Sequence, residues 1–404
     1  MIQLNVTITA LSPLCFSERR PGGQFRFSLD HVPGAILRGA VASHMLRAGQ
    51  EHEATFQRLF GVGQPPAALF RCAYPGIDVV PHTALSCKDN PGFLASGTGH
   101  GVSDTLVDRL CFEQLQPPGL LYRPRCAYEN CDPGRVEAFT GFYSRESESY
   151  HSCQVPQRLL TRVGINRQRM AAQDALLYAP MVLSEAWWTE QGIERARFRG
   201  TVWVDDSLVE PLSATLPQIT HLGSGSARGL GQVEVQCTVE TASSAEAARL
   251  QALQQRLDQL NTALQTRWQQ VESLCDKPQS CPKVFTVNLR ADAILKEHGW
   301  LPTTVLTAAM LSDITGVVDE SLRLLRSYVS YDYRGGWHTG QRLPKDTELV
   351  TRLGGVFVFQ TDDLTPWLAP LAALEVHGIG ERTAEGFGEV RICDVFHVEG
   401  RERK

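Results

Sequence analysis

Three cysteines and one histidine stand where a metal would want them. Cys126 and Cys131 form a C-x4-C turn (CAYENC), Cys87 precedes a turn ending in Asn-Pro-Gly-Phe, and His100 lies in GTGHGVSD. Three thiolates and one imidazole are the donor set of a closed, tetrahedral structural zinc site, so Zn2+ is the expected cofactor. A metal there would replace the core that a turn-rich insertion lacks. Cys111 is the rival of His100 for the fourth position. It falls on the apolar side of a helix around Leu106–Leu110, which suits a core thiol better. The alternative is that all of them stay ordinary thiols. Cys275 and Cys281 flank a Lys-Pro turn with no further ligand pair nearby.

The second chemistry is cationic. RLLTRVGINRQRMAAQDALLYAP holds Arg158, Arg162, Arg167 and Arg169 with Asn166 among them. Arginine pairs with phosphates and stacks on bases. The simplest shape is a hairpin over about 158–180 with a basic tip; a solvated loop or a protein-binding surface is the other reading. Arg19, Arg20 and Arg26, beside Arg38 near the Pro33-Gly34 turn, could form a second basic face. Tyr331, Tyr333, Arg334, Trp337, His338, Arg342 and Lys345 mix aromatic with basic residues, as single-strand binders do, though the aromatics could equally be core. Asp30 and His31 precede the Pro-Gly turn and offer a general base for RNA cleavage, whereas His44 lies on an apolar helix face.

Glycine supplies a third signal, and it occurs twice. Gly223, Gly225, Gly229 and Gly231 surround Arg228; Gly380, Gly386 and Gly388 accompany Arg382. Both copies share the spacing G-x5-G-x-G and open onto a strand. Such loops adopt positive φ and admit close approach of another chain. They could line an RNA backbone or simply press against a sheet. Neither ends in Gly-Lys-Ser/Thr, so no nucleotide hydrolysis follows, and neither fits a dinucleotide fingerprint.

These residues need elements to hold them. Residues 2–9 alternate as a half-buried strand, and AILRGAVASHMLRAG reads as a helix closed by Gly49. Residues 61–160 are irregular, with one helix from about Val102 to Leu115. Phe198–Val204 is a strand, Leu208–Ile219 a short helix, and VEVQCTV a strand. Over 243–275 a stripe of Leu250, Leu253, Leu257, Leu260 and Leu264 marks a long helix joining two halves, capped by Ser243 or Ser244. Strand, helix, glycine loop and a strand through EVRICDV then close the second half as they close the first. The expectation is α+β: two ferredoxin-like (RRM-like) domains. The first spans 1–242 with the insertion at 61–160; a helix and linker span 243–281; the second domain spans 282–404. The chain has 404 residues, 43% hydrophobic and 21% charged, with a net charge of −5, so bulk charge argues for no nucleic acid and only local patches can. The N-terminus lacks the pattern of a signal peptide, and no run of about 18 apolar residues offers a membrane span. Eleven cysteines, an odd number, suit thiols in a cytoplasmic protein rather than a disulfide framework.

The N-terminal strand, the VPGAILRGA turn into a helix and the glycine loops resemble the RAMP superfamily of CRISPR proteins. Within it, LSCKDNPGF, HGVSDTL, the C-x4-C followed by GFY, TRVGINRQRMAAQDALLY and GGWHTGQRLPK are similar to the Csx-ten (Cas-five-like) subunit of type III-D effector complexes. The resemblance implies two RAMP domains and an RNA-binding structural subunit of an antiviral ribonucleoprotein. Such a subunit holds the 5′ handle of a guide RNA, with segment 158–180 as a thumb-like hairpin. It docks beside the large subunit and backbone RAMP subunits and meets target RNA indirectly. It is not expected to be an enzyme. The competing readings are a RAMP endoribonuclease that processes guide precursors and a backbone subunit that cuts target RNA through Asp30.

Overall fold

The computed structural model describes residues 1–18, 27–50, 52–61, 65–128, 131–132, 134–146, 149–189, 192–240, 245–338 and 343–399. Arg19, Arg20, Arg26, Arg342 and the two candidate caps Ser243 and Ser244 lie outside these residues. The elements that matter run in order. The first half holds β1 (Ile2–Ala10), α1 (Gly34–Arg47), β2 (Ala68–Phe70), β3 (Ala84–Cys87), β4 (Val102–Asp104), α2 (Leu106–Leu115), β5 (Val136–Ala138), β6 (Arg162–Asn166) and β7 (Ala171–Tyr178). It ends with β8 (Arg197–Val204), α3 (Val209–Thr215) and β9 (Val233–Val239). Then come α4 (Ala245–Glu272), β10 (Lys283–Leu289), α5 (Ala308–Thr315), β11 (Arg323–Tyr328), β12 (Tyr331–His338) and β13 (Leu343–Thr351). The chain closes through β14 (Val356–Thr361), α6 (Leu368–His377), β15 (Val390–Ile392) and α7 (Phe396–Glu399).

The architecture is mixed helix and antiparallel sheet. One four-stranded sheet has the order β9-β1-β8-β2 and the other β11-β14-β10-β15. Counting each half's own sheet strands from one to four, both read 4-1-3-2 or its reverse, with a helix after the first and third strands. In the first sheet Leu4 pairs with Val202 and Val239, and Ala10 with Val233. The alternation of β1 turns Leu4, Val6, Ile8 and Ala10 into the core. The expected helix from Val102 is shorter than read. Val102–Asp104 is a strand, and the Asp104 carboxylate accepts the Leu106 N–H at 2.8 Å to start α2. Likewise the last strand stops at Ile392, and Cys393 takes a positive φ of 49° before α7.

The long helix α4 is packed along its length. Leu253, Leu257, Leu260, Leu264 and Trp268 are buried in one cluster with the second sheet and with Leu106, Leu110 and Leu115 of α2. Each such leucine contributes on the order of 1.5–3 kcal/mol by burial. Thus a helix from residues 61–160 completes the core of the second half.

Beside these apolar contacts, the two halves also meet through close backbone packing and polar pairs. Gly34 starts α1 so close to β2 and to the second glycine loop that an added Cβ would lie 2.0 Å from the Phe70 carbonyl oxygen and 2.9 Å from that of Glu385. The Tyr74 hydroxyl donates to the Arg290 carbonyl at 2.6 Å, and the Arg290 guanidinium pairs with Asp78 at 3.0 Å. Among the described residues no helix is long and apolar enough to cross a membrane.

Candidate metal centre and nucleic-acid interface

Cys87 ends β3, where it pairs in register with Val136 of β5, and His100 stands two residues before β4. Backbone bonds hold the other two ligands. The Cys126 N–H donates to the Gly134 carbonyl at 2.9 Å and the Cys131 N–H to that of Tyr128 at 3.3 Å. The ligand atoms of Cys87, His100, Cys126 and Cys131 all lie within 4.8 Å of one another. Cys87 Sγ is 3.6 Å from Cys131 Sγ, and Cys126 Sγ is 3.7 Å from His100 Nδ1. A tetrahedron with metal–sulfur bonds of about 2.3 Å has edges of about 3.7 Å, so the residues fit a zinc ion. Burial and the Cys87 and Cys126 thiols push the Cys131 thiol up to about 12. Cys111 is not part of the group: it is fully buried in α2, with its sulfur 4.0 Å from the Leu264 carbonyl oxygen. Tyr128, which the sequence reading passed over, lies flat on the His100 ring at 4.1 Å and 7° and orients it. Its position inside C-x4-C was the available signal.

The arginine-rich segment forms the β6–β7 hairpin, with Arg162 opposite Tyr178 and Asn166 opposite Ala171. Asn166 closes the tip: its side-chain oxygen accepts the N–H groups of Gln168 and Arg169 at 3.0 and 3.1 Å. Arg167 and Arg169 are exposed there beside Ile165 and Met170, the latter 83% exposed. At the hairpin's base, Arg162 donates to the Arg228 carbonyl at 2.6 Å, and the Arg228 guanidinium sits over the Tyr178 ring at 5.6 Å. Two candidates far apart in sequence, the hairpin and the first glycine loop, therefore form one surface. In that loop Gly223, Gly225, Gly229 and Gly231 all have φ between 71° and 84°. Gly229 faces open space, whereas Gly231 backs onto the Leu222 carbonyl.

The second glycine loop has a different environment. Gly386, in the place Gly229 holds in the first copy, has φ 95° and lies against Gly34 and the Phe70 carbonyl. Arg382 and Lys345 both bond to Glu385, at 2.6 and 2.7 Å, so neither is a free cation. Their charges hold Glu385, against the cost of its burial, down at about 2. Arg334 is corrected from an RNA contact to a buried structural residue. It is 8% exposed and its guanidinium pairs with Asp292 at 2.6 Å and Asp332 at 2.9 Å. Trp337 and His338 close β12, and their side chains lie outside the description. Arg38 donates to the Phe60 carbonyl at 2.8 Å, and Arg158 pairs with Glu185 at 2.7 Å. Asp30 and His31 do touch, at 2.9 Å, but His31 is 6% exposed. Burial opposes its charge, yet Asp30 and Cys72 more than offset this and raise the imidazole to about 10.

No protein-family model matches the chain, and no curated protein matches its sequence. Among solved structures, the chain is similar to one from a type III-B Cmr-beta complex bound to cognate target RNA and AMPPnP. That chain is 9% identical, with 91% of this chain and 93% of that chain covered and a TM-score of 0.39. It is also similar to oligomeric Cmr4 from Pyrococcus furiosus (13% identical, 60% of this chain and 100% of that one, TM-score 0.26). A chain of a type IV-B CRISPR complex is 15% identical over 60% of this chain and 92% of that one, with a TM-score of 0.25. At such scores the likeness fixes neither fold nor role.

Proposed function

We propose that the chain is an RNA-binding structural subunit of a type III-D CRISPR effector complex, built from two ferredoxin-like RAMP domains and a zinc-bound insertion. It holds the 5′ handle of the guide RNA and docks the large and backbone subunits, in the cytoplasm and without nuclease chemistry of its own. The observation that carries the reading is the β6–β7 hairpin. It presents Arg167 and Arg169 with exposed apolar residues at an ordered tip, anchored on a glycine loop that carries a further arginine. Cations take phosphates, and the apolar flanks of the tip can lie against unstacked bases. The doubled 4-1-3-2 strand order supports the domain assignment. The burial of His31, which leaves it 6% exposed, speaks against the endoribonuclease reading. The test is guide-RNA binding by the chain with Arg167→Ala and Arg169→Ala together. Loss of two phosphate contacts lowers the salt slope of log K by about 1.4 for a single strand. Unchanged affinity and slope would refute the hairpin's role.

A further inference from the structure

The two sheets share a strand order but not a covering. In the second sheet β10 is buried on both faces from Val284 to Leu289, with α4 packed against it. In the first sheet only one face is core. The other carries two rows that cross the strands: Arg199, Thr7 and Gln236, then Arg197, Thr9 and Glu234. The two arginines, Glu234 and Gln236 are exposed there, and the threonines are half-buried. Further along β8 the same face is closed: Trp203 is buried with Leu69 and Val376, and the Arg249 guanidinium lies over its ring at 5.1 Å. Neither Arg197 nor Arg199 has an ion-pair or side-chain hydrogen-bond partner among the described residues. Glu234 is the one acid of the two rows, and it accepts from Gln236 Nε2 at 3.1 Å. Before Arg197 the chain carries Arg195 and Glu194, both exposed, which offset each other. Two guanidinium groups against one carboxylate leave the rows positive.

We infer that these rows are a track for the sugar–phosphate backbone of an RNA strand, continuing the surface of the hairpin and the first glycine loop. The inference rests on the RNA-binding function proposed above and adds a site to it. That loop leads directly onto the face: β9 begins at Val233, two residues after Gly231, and Glu234 and Gln236 are its first outward residues. Arg197 and Arg199, alternate residues of β8, stand about 6.8 Å apart and face the same way, so each can fork onto its own phosphate. Thr7, Thr9 and Gln236 add hydroxyl and amide donors, side chains that share phosphate contacts with arginine. No aromatic ring belongs to the two rows, so bases have nothing to stack on and the contact reads no sequence. A protein partner calls for an apolar centre, which the two rows lack.

The experiment uses the full chain and a fluorescent single-stranded RNA of about 20 nucleotides titrated across a salt series. The double variant Arg197→Thr, Arg199→Thr keeps strand-forming residues at both positions. It is expected to bind about fivefold more weakly at low salt, with the salt slope reduced by about 1.4. Glu234→Gln, which removes the acid of the rows, should tighten binding about twofold. In the wild-type chain, bound RNA should shield Arg197 and Arg199 from phenylglyoxal, read by mass spectrometry, and equal labelling with and without RNA would overturn the site without recourse to a variant. If wild type binds RNA and the double variant matches it in affinity and slope, this inference fails and the hairpin reading stands. It fails too if the double variant keeps its RNA affinity but loses affinity for polyglutamate, since the face would then take an acidic protein. If wild type binds no RNA, both fall.

Discussion

His397 offers the sharpest test of how the halves are locked. Its ring is fully buried, with Nδ1 3.1 Å from Asp104 Oδ2 and Nε2 2.7 Å from the Asn288 side-chain amide. Asp104 also accepts from Thr83 Oγ1 at 2.5 Å and from the Leu106 N–H at 2.8 Å. One imidazole thereby ties α7, the start of α2 and the central strand β10 together. Replacing it by leucine leaves a buried carboxylate with neutral donors only. Breaking a buried pair from one side costs about 3–5 kcal/mol, a large part of a domain's stability. Burial opposes charge on His397, but Asp104 and Asp394 outweigh it and raise its pKa above the ordinary value. The folded form therefore holds the proton more tightly than the unfolded chain. The stabilisation is complete below about pH 6.5 and drains away as pH rises through the folded value. Denaturant unfolding of wild type and His397→Leu should show a gap that is widest below about pH 6.5 and narrows as pH rises through the folded value. The double variant Asp104→Asn with His397→Leu should lose less than the two single losses added together. A gap under about 1 kcal/mol, flat with pH, would refute the argument that an ion pair is what locks the seam.

Two further outcomes follow from the glycine loops and the metal. Gly386→Ala meets both a positive φ and the Phe70 carbonyl 3.0 Å from the new Cβ, whereas Gly229→Ala meets the positive φ alone. Thermal melting should therefore show a loss of about 1 kcal/mol for Gly229→Ala and clearly more for Gly386→Ala, with equal losses contradicting the packed seam. Elemental analysis of the purified chain should find one zinc, and X-ray absorption about three sulfurs near 2.3 Å and one nitrogen near 2.0 Å. Cys111→Ala should keep the metal and Cys126→Ala lose it; the opposite pattern would overturn the ligand set.

The Cys3His group was legible because few side chains bind zinc, and turn-rich sequence around Cys87, His100, Cys126 and Cys131 gave them no core to join. Cys111 was separable from them by helical periodicity, which put it among leucines. The hairpin was legible from arginines bracketed by strand-formers. Arg334 was not: its partner Asp292 is 42 residues away in sequence, and nothing local distinguishes a cation in a buried pair from one awaiting a phosphate. Strand β2 was missed because three residues, Ala68–Phe70, make no period. The two glycine loops carry the same spacing, yet only packing against Gly34 separates the covered copy from the open one. Arg228 in one and Glu385 in the other was the sequence trace of that difference.

The placement of α2 bears on how this protein can be taken apart. A gene cut at the linker before residue 245 would yield a C-terminal fragment whose α4 leucines have lost Leu106, Leu110 and Leu115 as neighbours. It would also yield an N-terminal fragment exposing those same side chains. Each piece would carry a sticky apolar strip that only the other can cover. The order in which the chain is synthesised thus differs from the order in which its cores can close, and α2 must wait for residues made long after it.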